Sequence, residues 1–600
     1  MTRLVALILI ASFLFSGTIT AQAPKGGIAP TPQAAPSVAS KIAILNVCAR
    51  NGELATEVVA FRQVLDALGI AYVVTPNVQD ASKYGLVLVA GSLWNATLSA
   101  REFNDLSTYV ESGGALVASG GQGSKYQPLF GIGAQVDSRK RFAMHFEAPA
   151  TDPSLAYLDH PEERTISLGN RKLYPETIWT RSFETDTALS LAVTDDGLSI
   201  FSVNGYGKGS AYALGVTFSE AVLLPMVGGD YEAQRVWVNG FEPGADVFML
   251  ILKGIHESAF APYAYLSAIP RGKKTALLLS HDVDAQDSFR NSIEYAEMER
   301  RHGVRSTFFI TTKTFKDESD IAYYNAERIG YLKKVRELGG DIGSHSVSHS
   351  RRFETFPLGK SIGEIAQYSP SSAPTVMGEV FVSKRLLDRD FEGQDTLSFR
   401  AGELRIPKGL AGALERSGYR IDSSFSANDI MINYPYRLLD GMTVAADVSG
   451  IVEIPVTFDD SQGYLTETNM HSMLKTWIDV IGANADNGAI SVLLIHPSVA
   501  GYKLKTEDLL LTALADEDIW IGDMTSYGEF WLKRASVRYD ISETESKVSL
   551  RLQGRTIPPG VCIVVGKVPR TKAIEVLASD GTRIDCLKTV KGDRVYLESR

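Results

Sequence analysis

The sequence predicts an α/β protein in three folded parts: a flavodoxin-like α/β domain, then a distorted (β/α) barrel, then a small β-sandwich. With 600 residues, the chain is too long for one hydrophobic core. Two long stretches alternate strand-like apolar runs with helical periodicity, and the final stretch has no helical periodicity. These observations place the first domain at residues 41–265, the barrel at 270–535 and the β domain at 536–600.

The start of the chain is typical of a secretory signal peptide at residues 1–23. Arg3 precedes an apolar run at 4–15, and small residues follow it. An uncleaved N-terminal anchor is the alternative. Residues 24–40 are rich in Pro, Ala and Gly, which indicates a linker. No later stretch reaches the roughly 20 apolar residues of a membrane span. We therefore expect an exported protein, periplasmic or secreted, without stable membrane insertion after cleavage.

Charge and cysteine content narrow the classes of partner and compartment. The net charge is −10 and no basic stripe is visible, so we expect no nucleic-acid partner. Cys48 is expected to be a small buried residue. Cys562 and Cys586 lie close together in sequence, and the pattern leaves open whether they form a disulfide or remain two buried thiols.

Residues 41–265 begin with the pattern of a parallel sheet covered by helices on both faces. Helix-like stretches at 53–68 and 100–111 separate apolar strand-like runs, and residues 140–220 are richer in strand patterns. The phrase at 109–117 resembles the class I glutamine-amidotransferase-like fold.

An active enzyme of that kind needs a nucleophilic Cys on the turn after a strand. The corresponding residues here are Ala118, Ser119, Gly120, Gly121 and Gln122. We therefore expect this domain to be non-catalytic, with a role in ligand binding or assembly.

The second alternating stretch, at 270–535, places histidines at the ends of predicted strands. Four of the nine histidines fall there: His281, His345, His349 and His496. The carboxyl ends of barrel strands form the reactive face of such folds. His345 and His349 are four apart and able to aim at one ion, although two surface histidines in a Ser-rich loop would have the same spacing.

An apolar strand at 277–280 leads directly into Asp282 and Asp284. Desolvated carboxylates need partners, which a metal would supply to one of them while the other takes a proton. A helix cap or a surface turn is the alternative interpretation. Arg400, Asp422 and His496 follow later predicted strands, and each alone has an ordinary structural explanation.

Taken in order, these pieces resemble the polysaccharide deacetylase family (NodB homology, carbohydrate esterase family 4). The resemblance implies that Asp284, His345 and His349 bind a divalent metal, most often Zn²⁺, with Co²⁺ or other ions as alternatives. It implies that Asp282 is the general base, kept ionised by Arg400, and that His496 is the general acid. Asp422 would be an acidic partner of His496.

The resemblance also implies a polysaccharide substrate outside the cytoplasm. The expected reaction removes the acetyl group of an N-acetylhexosamine, with a backbone N–H near Gly402 and Glu403 stabilising the oxyanion. The first motif departs from the family because Val283 separates the two acids and His281 replaces an aromatic residue. This leaves open which acid binds the metal and whether His281 reaches the site.

Two other functions remain compatible with the sequence. One is a hydrolase of a small non-sugar amide on the same barrel. The other is a non-catalytic glycan-binding or scaffold protein that works with partners in an envelope polysaccharide assembly.

Overall fold

The structure is a computed structural model that describes residues 41–600 except 229–238, 318–320, 446 and 462–463. The predicted signal peptide and the linker at 24–40 lie outside the described residues. Within the described ranges, no helix has the length and apolar character needed to cross a membrane.

The described residues of the first part form one large mixed sheet with α-helices around it. Its strands are β1 (Ile42–Asn46), β2 (Tyr72–Thr75), β3 (Leu86–Ala90), β4 (Ala115–Ser119), β5 (Ile132–Ser138), β6 (Ala143–Phe146), β7 (Thr165–Ser167), β8 (Thr180–Thr185), β9 (Leu189–Thr194), β10 (Ser199–Tyr206) and β11 (Gly209–Leu214). Its helices are α1 (Cys48–Asn51), α2 (Thr56–Leu68), α3 (Val78–Ala81), α4 (Ala100–Glu111), α5 (Gln127–Phe130), α6 (Leu224–Met226) and α7 (Gly244–Ala259).

Half of this sheet is parallel and half is antiparallel. The strands β2-β1-β3-β4-β11 are parallel neighbours, and β3 and β4 are buried along their whole length, as apolar strands between two helical layers must be. Beyond β11 the ladder continues through β10, β9, β6 and β7 in antiparallel pairing. The flavodoxin-like prediction accounts for the parallel strands only.

The second part contains the expected alternation of strands and helices. After β12 (Tyr263–Leu266), its strands are β13 (Thr275–Val283), β14 (Thr307–Ile310), β15 (Asp341–Ser344), β16 (Ser398–Phe399), β17 (Ile421–Asp422), β18 (Tyr436–Leu439), β19 (Val448–Glu453), β20 (Phe458–Asp459), β21 (Ile490–Ile495) and β22 (Ile519–Gly522). Its helices are α8 (Gln286–Arg301), α9 (Ala326–Glu337), α10 (Val376–Asp390), α11 (Leu410–Ser417), α12 (Ala427–Ile430), α13 (Met470–Asn487), α14 (Gly501–Ala513) and α15 (Met524–Ser536).

These strands curl into an incomplete barrel. The order is β18-β19-β17-β16-β15-β14-β13-β21-β20, with β22 beside the start of β13, and only the β18–β19 pair is antiparallel. The short segment between β19 and β20 bonds in two directions: Val456 N donates to Phe425 O, just beyond β17, at 2.8 Å, and Thr457 N donates to Val492 O on β21 at 3.0 Å. The carboxyl ends of the parallel strands therefore meet at one rim.

The tail at 536–600 is built from strands in two small sheets. Its strands are β23 (Tyr539–Glu543), β24 (Lys547–Leu552), β25 (Cys562–Gly566), β26 (Ala573–Leu577), β27 (Cys586–Lys591) and β28 (Arg594–Ser599). One sheet is β23-β24-β26, and the other, β12-β25-β28-β27, takes a strand from before the barrel. A self-contained β-sandwich therefore stays a prediction. Cys562 and Cys586 are buried free thiols, as is Cys48.

The three parts pack against one another through a common apolar core. A single cluster of buried side chains includes Phe218 from the first part, Tyr434 from the barrel and Ile563 from the tail. Arg534 on α15 is the polar centre of this junction. It is 1% exposed, lies over the Trp531 ring at 4.3 Å, and donates to the carbonyls of Asp66, Ala67, Leu266 and Ser267 at 2.8–3.1 Å.

We predict that Arg534→Met destabilises the protein by roughly 3 kcal/mol, because buried carbonyls lose a charged donor and gain no replacement. The midpoint of urea unfolding measures the effect. Lys533→Met is the matched control, since the Lys533 side chain is 54% exposed and its ion pair with Glu529, at 3.5 Å, lies on the surface. Equal midpoints for the two variants would contradict the role given to Arg534.

Candidate metal centre

The predicted site residues gather where the barrel strands end. Asp282 lies near the end of β13, His345 follows β15, Arg400 follows β16 and His496 follows β21. Asp282, His345 and His496 line a cavity of about 540 Å³, and Arg400 lies behind Asp282. Its walls are Asp282, Asp284, His345, His349, Glu403, Leu404, Arg405, Ile406, Ser424, Phe425, Ser426, Asp429, Asp459, Ser461, Leu494 and His496.

Asp282 and Arg400 form a buried ion pair at the base of the cavity. Arg400 Nη1 donates to Asp282 Oδ1 at 2.8 Å, and both residues are at most 2% exposed. Two further bonds to Ser423 and the Phe309 ring at 4.3 Å hold the guanidinium in place. Burial acts to raise the pKa of Asp282, but Arg400, with His345 and His496, outweighs it and lowers this pKa to about 2. Asp282 is therefore ionised at any working pH.

Asp284, His345 and His349 converge on one point. Ligand atoms of the three side chains all lie within 4.8 Å of one another. His345 Nδ1 donates to Arg400 O at 2.9 Å, which fixes the tautomer and leaves the Nε2 lone pair facing the cavity. His349 Nε2 lies 3.6 Å from Asp284 Oδ2.

The electrostatics of this group fit a bound cation. Burial lowers the pKa of His345 to about 4 and also lowers that of His349, so both imidazoles are neutral at pH 7, as metal ligands must be. Burial raises the pKa of Asp284, which means that its charged form needs a positive partner. Two neutral imidazoles and one carboxylate are the donor set of an open, catalytic type of zinc site.

The loop that carries the two histidines is held by Glu379 on α10. This fully buried carboxylate accepts from Val347 N at 2.9 Å, from Ser348 N at 2.7 Å and from Tyr368 Oη at 2.6 Å. His349 itself has a φ of 52°, a conformation that costs energy unless the surroundings impose it. Glu379 is therefore a positioning residue for the histidine pair.

Gly402 makes room for this loop. A Cβ at that position would lie 2.9 Å from both Cα and Cδ2 of His349. The next residue, Glu403, has a φ of 55° and lines the cavity.

His496 faces the cavity from the opposite side with Asp460 behind it. His496 Nδ1 donates to Asp460 Oδ1 at 2.6 Å, and Lys503 forms an ion pair with Asp460 Oδ2. Burial acts to lower the pKa of His496, but Asp460, Asp284 and Asp459 outweigh it and raise this pKa to about 10. Its Nε2 lies 3.8 Å from Asp284 Oδ2. His496 is thus a protonated imidazole with a donor aimed at the site.

The prediction that Asp422 is the acidic partner of His496 is wrong, because Asp460 occupies that position. Asp422 instead accepts from Ser424 Oγ at 2.6 Å, and Ser424 Oγ accepts from Ala401 N at 2.9 Å. Burial raises the pKa of Asp422 to about 6. Asp422 therefore supports the backbone beside Arg400 rather than titrating with His496.

Two other groups have metal-like composition and are less suitable. The first group consists of His281, Glu299 and Glu507. These side chains are at most 1% exposed and do not line the cavity. Two of them are already hydrogen-bonded to each other, His281 Nε2 to Glu299 Oε1 at 2.7 Å. The second group consists of Asp459, Asp460 and His496. The Lys503 ammonium already pairs with Asp460, which disfavours a second cation there.

His281 does not reach the candidate site. Its ring packs on the ring of Phe308, and it does not line the cavity.

Sequence reasoning missed Asp460 and Glu379. Asp459 ends β20 and Asp460 follows it, much as Asp282 lies near the end of β13 and Asp284 follows it, so this acidic pair is a signal that the sequence offers. Glu379 lies within a helix and carries no local signal.

The fold and the site define an α/β protein with a candidate metal and acid–base centre at the rim of an incomplete barrel. No family model matches the chain, and no curated protein matches it in sequence. Solved structures do match part of it. A Mycobacterium smegmatis protein assigned as a polysaccharide deacetylase is 17% identical, with 44% of this chain and 92% of that chain covered and a TM-score of 0.34.

A peptidoglycan deacetylase from Bacillus subtilis is 15% identical over 44% of this chain and 94% of its own, with a TM-score of 0.26. A family 4 carbohydrate esterase pseudoenzyme from Bacillus anthracis is 16% identical over 43% and 66%, with a TM-score of 0.27. Nothing in these matches supports the glutamine-amidotransferase-like resemblance of the first part.

We predict that Asp460→Asn lowers the pKa of His496 from about 10 toward the ordinary value of about 6.5. The substitution removes the carboxylate that stabilises the imidazolium and leaves the Lys503 charge beside it. At pH 8 the imidazole is then protonated in the wild type and neutral in the variant. Histidine NMR titration measures the change. Asp459→Asn is the control, because the Asp459 carboxylate accepts from Ser461 rather than from His496. This substitution should lower the pKa of His496 by less. An unchanged titration in Asp460→Asn would refute the pairing.

We predict that Glu379→Ala weakens zinc binding about tenfold, because two backbone N–H groups of the histidine loop lose the carboxylate that accepts from both. Competition with a chromophoric chelator measures the affinity. Glu337→Ala on α9 is the control, since the Glu337 side chain is 66% exposed. Unchanged affinity in both variants would exclude a positioning role for Glu379.

Proposed function

We propose that this protein is a metal-dependent N-deacetylase that removes acetate from an N-acetylhexosamine-containing envelope or extracellular polysaccharide. The motif resemblance to polysaccharide deacetylases supports the substrate class. The observation that carries the proposal is that an ionised carboxylate, Asp282, and a protonated imidazole, His496, border one cavity beside three convergent ligands. Amide hydrolysis needs one group that accepts a proton and another that donates one.

In this proposal Asp284, His345 and His349 hold the divalent metal, with Zn²⁺ favoured and Co²⁺ as an alternative. When bound, such an ion polarises a carbonyl and lowers the pKa of a water molecule. The two imidazoles are already neutral, so binding requires no loss of protons from them. Arg400 contributes twice: its carbonyl orients His345 and its guanidinium orients Asp282.

Asp282 is the proposed general base for the attacking water. Its pKa of about 2 makes it a weak base, so the reaction depends on a water whose own pKa is lowered. The Arg400 contact leaves Oδ2 directed toward His345 Nε2, 3.5 Å away, which is the side on which the ligands converge.

His496 is the proposed general acid. The leaving group is an amine, which must receive a proton as the carbon–nitrogen bond breaks. The bond from Nδ1 to Asp460 leaves the Nε2 proton as the one to be donated, and the pKa of about 10 keeps that proton in place at neutral pH. The backbone at Gly402 and Glu403 remains the candidate donor to the oxyanion.

We predict that Asp282→Asn lowers kcat for acetate release by about 10³-fold while zinc stays bound, because the base is lost and the ligands are kept. His345→Ala is expected to lose both activity and zinc. The measurements are acetate release from chitooligosaccharide, poly-N-acetylglucosamine and peptidoglycan by the zinc-loaded protein, and metal content of each variant.

Matched surface controls are Asp80→Asn and His145→Ala, whose side chains are 52% and 47% exposed. Both should retain wild-type activity and zinc. A fully loaded protein that releases no acetate from any of the polymers would point to a small non-sugar amide as substrate. A purified protein that does not bind zinc would point to a non-catalytic glycan-binding or scaffold role.

A further inference from the structure

We propose that an aromatic surface on the first part of the chain binds the glycan chain beyond the reacting sugar. This surface, the tryptophan face, consists of Trp94, Trp179 and Arg181 with their charged neighbours. The inference rests on the proposed function for the choice of ligand, a chain of N-acetylhexosamines, and assigns the first part a role in holding it.

The side chains of the two tryptophans are unusually exposed to solvent for their size. Trp94 is 42% exposed and Trp179 is 56% exposed, whereas Trp477 and Trp531 are almost completely buried. A large apolar ring in water gives up the stabilisation that burial would provide, so neighbouring exposed rings often mark a binding surface.

Both rings belong to one face. Trp179 comes immediately before β8, and Arg181 is the second residue of that strand. The paired strand has charged neighbours at the same two-residue spacing, because Asp137 faces Arg181 and Arg139 comes two residues later. The Arg181 guanidinium lies 4.6 Å from the Trp94 ring centre, and it is held by an ion pair with Asp137. Arg139 lies over Trp179 at 5.8 Å.

The backbone beneath Trp94 restricts the position of its ring. A Cβ at Gly121 would lie 2.7 Å from the Trp94 ring, so the ring rests directly on this loop. Little rotamer freedom is then lost when a ligand stacks on it.

The chemistry of the face suits a sugar chain. A pyranose presents an apolar C–H face that packs on an indole and a hydroxyl edge that bonds charged side chains. Here Arg139 with Glu176, and Arg181 with Asp137, supply donors and acceptors around the rings. Charged residues are depleted at the centre of protein–protein interfaces. The combination of exposed rings and ion pairs therefore fits a sugar chain better than a protein partner.

The face is structurally continuous with the candidate site. Trp179 N donates to Glu220 Oε1 at 3.4 Å, and Glu220 belongs to the helical segment that continues into α6. That segment ends near Gly228, where a Cβ would lie 3.4 Å from the ring of Phe425, a wall of the cavity. One short helical segment therefore connects the tryptophan face with a wall of the cavity.

The test uses Asp282→Asn as the background, so that ligand is bound without turnover. Calorimetry measures the binding of chitohexaose and of chitobiose to two proteins. One carries Asp282→Asn alone, and the other, the double variant, also carries Trp94→Ala and Trp179→Ala. We expect chitohexaose binding to weaken at least about tenfold and chitobiose binding to stay unchanged. Leu587→Ala, at a 53% exposed position on β27, is the control.

In the active protein, the double variant should raise KM for the hexamer and leave turnover of the dimer intact, which also shows that it folds. Trp94→Phe with Trp179→Phe should restore most of the affinity. Equal chitohexaose affinity with and without the tryptophans would overturn the proposal, as would the absence of any chitohexaose binding. The two proposals can also fail separately. If binding depends on the tryptophans but the zinc-loaded protein with Asp282 intact releases no acetate, the glycan-binding surface stands and the proposed deacetylase activity is wrong.

Discussion

The candidate site depends on one buried ion pair, between Asp282 and Arg400. A charge with 2% exposure is costly unless it is paired, and here the pair is completed by Ser423 and by the Phe309 ring. The carbonyl of the same arginine orients His345. One residue therefore sets both the ionisation of Asp282 and the direction of a candidate ligand, so loss of Arg400 would disturb two chemical functions together.

The first part of the chain is integrated with the barrel rather than appended to it. Asp246 on α7 accepts from Asn433 N and Nδ2 at 2.8 and 2.9 Å, and Arg534 binds carbonyls on both sides of the junction. Asn239 exchanges two bonds with the backbone of Asp459, next to the partner of His496. The geometry of the acid side of the site thus depends on the first part, which is a structural reason for the two to occur together.

Sequence patterns predict those features that are encoded locally. The apolar run of β13 leads into its carboxylates, and the spacing of His345 and His349 brings them onto one loop, so both could be recognised. The link between His496 and Asp460 joins the ends of two strands through space, and their separation in sequence gives no sign of it. The sequence therefore predicts Asp422 as the partner of His496, which the structure corrects to Asp460. The pairing of β6 with β9 and the addition of β12 to a sheet of the tail likewise join residues that are far apart in sequence.

The most direct measurement of the central claim is an anomalous difference map, collected at the zinc edge from crystals of the zinc-loaded protein. The account predicts one strong peak within coordination distance of Asp284, His345 and His349, with Asp282 still paired to Arg400. A peak among His281, Glu299 and Glu507, or between Asp460 and His496, would contradict it. So would a zinc-loaded crystal with no peak at the barrel rim.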